Sequence, residues 1–241
     1  MRPKAHIGRK SEESELDLAF FAAHFVKFAL LKPPTRMYFC LQRKARLLPT
    51  HSKGQDMKSQ ALILIDIQIG FGDPSWGKRN NDSFETNISN VLETWRGLGL
   101  PVIHVRHNSE NPDSPLRPGQ LGNEFMEISQ PRTGEKIIEK IVNSAFIGTD
   151  LEKNLNAMAI DNLILAGLST DHCVSTTTRM AANLGFKCVV LADATATFPR
   201  LDCNGTCLEA KLVHRVSLAS LDGEFATVIT TSEFIASLED L

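Results

Sequence analysis

Cys173 is the residue of this sequence best placed to act as a nucleophile. It stands in the first turn of a helix predicted over residues 171–184, where unpaired backbone N–H groups and the positive end of the helix dipole stabilise a thiolate. A lysine ammonium nearby would lower the pKa of the thiol further, and a carboxylate could carry its proton to a leaving amine. Asp66 and Lys140 would complete such a triad. The alternative is a buried, inert thiol, which is a common state of cysteine.

The neighbouring histidine and the other cysteines carry weaker signals. His172 adjoins Cys173, but adjacent helical residues point in different directions, so His172 is expected to line the pocket or to cap the turn. Cys188 falls in an apolar strand and is expected in the core. Cys203 and Cys207 form a C-x3-C pair without a second pair of ligands. They therefore predict a solvated loop rather than a zinc site.

Residues 57–241 alternate between short aliphatic runs and amphipathic segments. The first run, Ala61–Ile65, reads ALILI and ends at Asp66, as a strand buried on both faces does. Further strands are predicted over residues 102–105, 136–139, 163–166, 188–192 and 227–231, with helices over 83–98, 150–159, 171–184, 209–220 and from 232 onward. This alternation is typical of βαβ units and predicts an α/β fold with a parallel sheet covered on both faces.

Polar residues follow the ends of these predicted strands. Parallel sheets bind ligands beyond the carboxyl ends of their strands, so these positions are where chemistry is expected. They are Asp66, Arg106, His107, Asn108, Lys140 and Cys173. Chain order alone does not place the third strand beside the first, and Lys140 is therefore the least constrained of the set. His104 lies inside the second strand and is expected in the core.

Residues 107–135 form a long segment without regular periodicity. They contain four Pro and three Gly, and a loop of this length inside a compact domain is usually a lid or a binding loop. No G-x-G-x-x-G motif follows the first strand, and the chain has no Walker A motif. A nucleotide cofactor is therefore not expected.

Composition separates the chain into two parts. Its 241 residues are 42% hydrophobic and 22% charged, with a net charge of -2, which gives no general reason to expect nucleic acid or an anionic membrane as partner. Residues 1–56 carry eleven Lys and Arg against five Asp and Glu, whereas residues 57–241 carry fifteen against twenty-three. We therefore predict a basic, poorly ordered extension over 1–56 and one acidic domain over 57–241.

The basic segment contains one apolar run, LAFFAAHFVKFALL over residues 18–31. The run is shorter than the roughly 20 residues that span a bilayer, and the acidic residues before it do not fit a signal peptide or a mitochondrial presequence. Met57 as the natural start of the protein is an alternative. The odd total of five cysteines, in a chain large enough to build a core, favours a reducing, cytoplasmic location.

Three motifs, in order, resemble those of the isochorismatase-like cysteine hydrolases. A D-x-Q-x-x-F signature begins at Asp66, a K-x-x-x-S-A-F motif begins at Lys140, and a G-x-x-T-x-x-C-V-x-x-T segment begins at Gly167. The resemblance covers residues 58–231. It implies a three-layer α/β/α sandwich whose six-stranded, mostly parallel sheet has a Rossmann-type order.

The same resemblance implies roles for individual residues. Asp66, Lys140 and Cys173 match the catalytic triad. A cis peptide is implied between Leu168 and Ser169, and it would turn the Ser169 N–H, together with that of Cys173, toward an oxyanion. Candidates for the substrate pocket, drawn from the motifs and from the strand ends, are Gln68, Phe71, Trp76, Arg106, Asn108, Phe146, Thr170 and His172.

Departures from two branches of that family narrow the expected activity. The branch that cleaves a vinyl ether by acid catalysis lacks the cysteine. Nicotinamidases carry an Asp-x-His metal motif after the second strand, whereas residues 104–120 read HVRHNSENPDSPLRPGQ, so neither a metal nor another cofactor is expected. The sequence is most similar to the cysteine-hydrolase branch, which is related to nicotinamidases and N-carbamoylsarcosine amidohydrolases.

The resemblance as a whole implies hydrolysis of an amide or carbamoyl C–N bond of a small molecule through a cysteine thioester. A homo-oligomer is expected, with no nucleic-acid or membrane partner. Three alternatives stay open: a vinyl-ether hydrolase, a metal-assisted nicotinamidase-type hydrolase, and a catalytically silent oligomeric interaction module.

Overall fold

The computed structural model of the protein describes residues 59–239; the extension predicted over 1–56 lies outside this range. The strands are β1 Gln60–Ile65, β2 Val102–His107, β3 Lys136–Lys140, β4 Asn162–Leu168, β5 Lys187–Ala196, β6 Arg200–Leu201, β7 Cys207–Leu208 and β8 Thr227–Ile229. The α-helices are α1 Phe84–Gly97, α2 Leu151–Ala157, α3 Ser175–Asn183, α4 Ala210–Leu221 and α5 Thr231–Glu239. Within residues 59–239, no helix is both long and apolar enough to cross a bilayer.

Six strands form one sheet in the order β3-β2-β1-β4-β5-β8, and every neighbouring pair is parallel. The chain therefore moves outward from β1 to β3 and then returns to build the other half from β4. This order confirms the predicted α/β fold, and it places the switch point between β1 and β4, where such sheets bind ligands. The sequence did not predict β6 and β7, which form a separate antiparallel hairpin.

Strand β1 is buried along its whole length, as the ALILI run predicts. Successive side chains of a strand point to opposite faces, so Leu62 and Leu64 pack in one core cluster while Ile63 and Ile65 pack in the other. Helices α1 and α5 cover the first face, and α2, α3 and α4 cover the second. The result is the predicted three-layer sandwich.

Helix α1 illustrates how hydrophobic spacing specifies these layers. Its buried side chains recur at three- and four-residue intervals: Phe84, Ile88, Val91, Leu92 and Trp95. Burying an aliphatic or aromatic side chain of this size contributes about 1.5–3 kcal/mol relative to exposure. The indole N–H of Trp95 donates to the carbonyl of Pro101, 2.8 Å away, which joins the helix end to the start of β2.

The segment predicted as a lid is fastened to the rest of the domain at several points. Phe125 forms an antiparallel bridge with Gln68, and the Met126 N–H donates to the Ile67 carbonyl at 2.9 Å. At its far end Glu135 accepts two hydrogen bonds from the guanidinium of Arg96 in α1. These contacts join the segment to the residues that follow β1. The segment therefore lies beside the switch point.

Candidate active site

The three predicted triad residues meet at the carboxyl ends of the strands. The Lys140 ammonium lies 2.6 Å from Asp66 Oδ2 and 3.2 Å from Cys173 Sγ. Asp66 is fully buried, Lys140 is 2% exposed and Cys173 is 6% exposed. An ion pair this well shielded from water interacts more strongly than a surface pair, although its burial carries a desolvation cost.

Sheet order explains why a lysine supplies the cation. Strand β2 lies between β1 and β3, so the ends of β1 and β3 are about 10 Å apart, twice the usual strand spacing. The long side chain of Lys140 crosses the end of β2 to reach Asp66. On that path it meets His107, the last residue of β2, whose Nδ1 lies 3.0 Å from the ammonium. The sequence listed His107 among the polar residues at the strand ends, but it did not predict the contact with Lys140.

Asp66 turns the chain out of β1 into the site. Its backbone has a φ of 51°, in the left-handed region that aspartate tolerates better than most residues. Its N–H donates to the Val105 carbonyl at 2.9 Å, which keeps the turn attached to β2. Asp66 Oδ2 accepts from Lys140, whereas Oδ1 is buried with no hydrogen-bond partner among the described residues. One carboxylate oxygen is therefore available to accept a proton.

Burial and the charge of Asp66 oppose the thiolate that the sequence led us to expect at Cys173. Burial raises its pKa far above the ordinary range, and the Asp66 carboxylate raises it further, while Lys140 acts in the opposite direction. The local backbone also differs from the prediction, because residues Thr170–Val174 form a π-helical turn and α3 begins only at Ser175. A raised pKa favours the thiol form of Cys173, and a thiol needs a general base to act as a nucleophile.

The resemblance implied a cis peptide in the turn before Cys173, and the structure has one. The Leu168–Ser169 peptide is cis, and the N–H groups of His172 and Val174 both donate to the Ser169 carbonyl. Gly167 precedes this peptide with a φ of 125°, and a Cβ there would lie 2.0 Å from the Ile65 carbonyl oxygen. A glycine is therefore required where β4 approaches β1.

Gln68 is a structural support for His107. The Gln68 side chain is fully buried, and its amide donates to the carbonyls of His107 and Asn123 at 3.0 and 2.9 Å. Its carbonyl oxygen accepts from the His107 N–H at 2.8 Å. All three of these groups belong to the protein backbone, which leaves the amide little capacity for a substrate.

Several other predicted pocket residues are also engaged within the protein. Thr170 is buried, with its hydroxyl 2.9 Å from His214 Nδ1. Asn108 accepts from Asn123 at 3.1 Å and donates its backbone N–H to the Lys140 carbonyl at 2.7 Å. The guanidinium of Arg106 lies 4.6 Å from the Phe125 ring centroid.

The predicted aromatic residues lie in two separate clusters. Phe71 and Trp76 pack with Phe198, with ring centroids 5.2–5.8 Å apart, on the α1 side of the sheet. Phe146 stacks on Phe186 at 5.8 Å and packs against the core on the other side. His172, by contrast, is exposed near the ion pair of Asp171 and Arg200.

A residue that the sequence did not single out, Asn143, also reaches the sulfur. It is exposed, and its Oδ1 lies 3.7 Å from Cys173 Sγ. The K-x-x-x-S-A-F motif surrounds this position, so motif matching could have pointed to it. Asn143 is thus an exposed polar residue in contact with the buried sulfur.

The donor set of the site fits a metal ion poorly. Asp66, His107 and Cys173 offer ligand atoms within 4.8 Å of one another, a set that zinc would accept in principle. The Lys140 ammonium, however, already contacts an atom of each of these three residues. A dication at the same point would have to displace a buried positive charge, so a metal-assisted mechanism gains no support from these residues.

Comparison with known proteins identifies relatives across most of the described region. The sequence model of the Isochorismatase domain family matches residues 60–233. The isochorismatase family protein YrdC of Bacillus subtilis is 47% identical over 178 residues, which cover 74% of this chain and 95% of YrdC. The maleamate amidohydrolase of Pseudomonas putida is 28% identical over 201 residues, covering 76% of this chain and 89% of that enzyme.

A solved structure gives the same result. The crystal structure of an isochorismatase-family protein from Chromobacterium violaceum superposes with a TM-score of 0.74 at 44% sequence identity. The match covers 77% of this chain and 96% of the other. The sequence motifs, the sheet order and the structural superposition therefore indicate the same relatives.

Proposed function

The chain belongs to the isochorismatase family of hydrolases, and from that premise we propose that it hydrolyses an amide or carbamoyl C–N bond of a small molecule through a thioester on Cys173. The proposal rests on the positions of Lys140 and Asp66 beside the sulfur of Cys173. Cys173 lies 3.2 Å from the Lys140 ammonium, which also holds the Asp66 carboxylate, and that carboxylate keeps one buried oxygen without a partner.

In the acylation half-reaction, Asp66 takes the thiol proton as the sulfur of Cys173 attacks the carbonyl carbon. A C–S bond forms, and the carbonyl oxygen becomes an oxyanion that the N–H groups of Ser169 and Cys173 would stabilise. The intermediate then collapses: the C–N bond breaks, and Asp66 passes its proton to the departing nitrogen. Ammonia or an amine leaves, and a thioester remains on Cys173.

In the deacylation half-reaction, water replaces the amine. Asp66 takes a proton from the water as its oxygen attacks the thioester carbonyl. The C–S bond breaks, the sulfur regains the proton from Asp66, and a carboxylic or carbamic acid is released. Lys140 stays protonated throughout and opposes the negative charge that develops on the sulfur. Every proton taken by Asp66 is returned, so the cycle needs no further reactant.

The thiol favours a C–N substrate over a vinyl ether. Cleavage of a vinyl ether by acid catalysis requires a proton donor but no nucleophile, so it gives no role to a sulfur held against both Asp66 and Lys140. A covalent acyl-enzyme splits the difficult displacement of an amine into two easier steps. That the maleamate relative is an amidohydrolase supports the same substrate class. All three triad groups are retained, which counts against a catalytically silent module.

The test is a screen of small amides, carbamoyl compounds and ureides with ammonia as the detected product, using the protein and its Cys173→Ala variant. We expect the variant to lose at least about 10³-fold in kcat, because it has no nucleophile. Cys188→Ala removes a buried thiol outside the site and is the matched control. Acid quenching followed by mass spectrometry should detect the acyl group on the peptide that contains Cys173. Full turnover by Cys173→Ala on the best substrate would exclude the covalent mechanism.

A further inference from the structure

His107 adjoins the triad but has none of the roles predicted for it. From its contact with the Lys140 ammonium at 3.0 Å, we infer that His107 is a positioning residue, which holds that ammonium between Asp66 and Cys173. The inference rests on the proposed function, since it concerns the same site. It assigns His107 no contact with the substrate.

The number of hydrogen bonds at Lys140 supports this role. A lysine ammonium has three N–H donors, and three acceptor atoms surround it: Asp66 Oδ2 at 2.6 Å, His107 Nδ1 at 3.0 Å and Cys173 Sγ at 3.2 Å. The Lys140 side chain is buried, so solvent does not readily replace a missing acceptor. His107 therefore completes the set of acceptors that fixes the direction of the ammonium.

His107 is itself held firmly by its neighbours. Gln68 accepts from its N–H and donates to its carbonyl, and Asn123 donates to the same carbonyl at 3.0 Å. These bonds fix the backbone at the end of β2, and the alternation of the strand then sends the ring toward Lys140. The buried amide of Gln68 thus acts on the triad through His107. This role accounts for Gln68 in the D-x-Q-x-x-F motif without a substrate contact.

The ring has the protonation state that this role requires. Burial and the Lys140 charge lower the pKa of His107, while Asp66 and a hydrogen bond to the Val142 backbone raise it less strongly. The charged or titratable groups that face the ring are Asp66, Lys140 and Cys173. A neutral ring with Nδ1 facing Lys140 accepts there, and its other nitrogen is free to donate to Val142. His107 thereby also contacts the segment that carries Asn143 to the sulfur.

The test compares His107→Leu, which removes the acceptor, with His107→Asn, whose side-chain oxygen can replace Nδ1. The readout that needs no substrate is the rate of iodoacetamide alkylation at Cys173 divided by that at exposed Cys203, measured by peptide mass spectrometry at pH 8. We expect His107→Leu to lower this ratio about 10-fold, as for the loss of one hydrogen bond to a charged group. His107→Asn should restore it to within about 3-fold.

A double-mutant cycle shows whether His107 acts through Lys140. In a Lys140→Met background, adding His107→Leu should change the alkylation ratio less than about 2-fold, because the two positions are coupled. On a hydrolysed substrate, His107→Leu should lower kcat and leave KM within about 2-fold, since no binding contact is lost. The unfolding midpoint of each variant shows whether it is folded.

Two outcomes would overturn the inference: an unchanged ratio in folded His107→Leu, or a full effect of His107→Leu in the Lys140→Met background. Failure of His107→Asn to restore the ratio would count against it as well. Because alkylation needs no substrate, these results are independent of the hydrolytic proposal. Turnover by Cys173→Ala would instead remove the proposed function and leave the positioning result standing.

Discussion

The carboxylate of Asp66 and the ammonium of Lys140 flank the sulfur of Cys173 and act on its proton in opposite directions. After burial itself, Asp66 is the stronger influence, and it raises the pKa of the thiol further. The same carboxylate has the free oxygen that can remove the proton during attack. In the proposed mechanism, Asp66 would thus lower the intrinsic reactivity of the thiol toward general electrophiles and raise it toward a substrate bound in the site.

This dual effect gives Asp66→Asn an unusual signature. The amide keeps the size of the side chain and one oxygen for Lys140, but it removes the base and the negative charge. We expect kcat to fall about 10²–10⁴-fold, whereas alkylation of Cys173 by iodoacetamide should become faster because the pKa of the thiol falls. Peptide mass spectrometry with Cys203 as internal reference measures the second effect. If alkylation slowed together with catalysis, Asp66 would be acting mainly through the local structure.

Among the secondary-structure elements near the site, β4 and β1 approach so closely that a side chain at Gly167 has no space. Gly167 lies opposite Ile65 in the sheet register, and a Cβ there would overlap the Ile65 carbonyl. We expect Gly167→Ala to destabilise the protein by about 2–5 kcal/mol, from both the positive φ and the overlap. Turnover should fall too, because the Ser169 and Cys173 turn follows directly. Gly97→Ala is the control, since a Cβ at Gly97 meets no atom within 4 Å. Equal stability of the two variants, measured by urea unfolding, would contradict the expectation.

Glu135, at the end of the 107–135 segment, contacts Arg96 of α1 and His104 of β2. These contacts predict how the stability of the protein depends on pH. Burial would raise the pKa of Glu135, but hydrogen bonds from Arg96, the Arg132 N–H and His104 outweigh it and hold the pKa at about 2, against 4.5 for the free side chain. A carboxyl with a depressed folded pKa contributes stability above its unfolded pKa, and the contribution is lost as the pH falls from about 4.5 toward 2.

We therefore expect Glu135→Gln to lower the free energy of unfolding by about 1–3 kcal/mol at pH 7, with the difference from the unmodified protein shrinking below about pH 4. Urea unfolding at a series of pH values measures the difference. Glu93→Gln, on the exposed side of α1, is the matched control and should show little effect. A difference that stayed constant from pH 7 to pH 3 would mean that the carboxylate charge is not what stabilises the connection.

The elements also show what sequence alone can and cannot predict. The strand runs and the spacing of α1 were predictable because each buries a continuous apolar face. The position of Cys173 was predictable as well, but its π-helical turn and its protonated state depend on the depth of burial and on Asp66. The contact of His107 with Lys140 was not predictable because it depends on two facts: that β2 separates β1 from β3, and which face the His107 ring takes.

For the whole molecule, the strand order brings together groups that are far apart in the chain. Asp66 and Cys173 follow β1 and β4, the two strands that meet at the switch point, and Lys140 reaches them across the end of β2. The family match over residues 60–233 covers all of these elements. Within the described residues, both core clusters and the proposed chemistry lie in the acidic part of the sequence.

Removal of residues 1–56 tests whether that part is sufficient. A chain beginning at Met57 keeps all the strands, both core clusters and the triad of the described residues 59–239. We expect its unfolding midpoint to match that of the full chain and its kcat to agree within about 2-fold, because truncation at a chain terminus is often tolerated. Its formal charge changes from -2 to -8, so ion-exchange elution should shift while turnover does not. A chain beginning at Ile67 lacks β1 and Asp66 and should fail to fold, because the sheet loses a fully buried central strand. An insoluble or inactive 57–241 chain would show instead that residues 1–56 contribute to the domain.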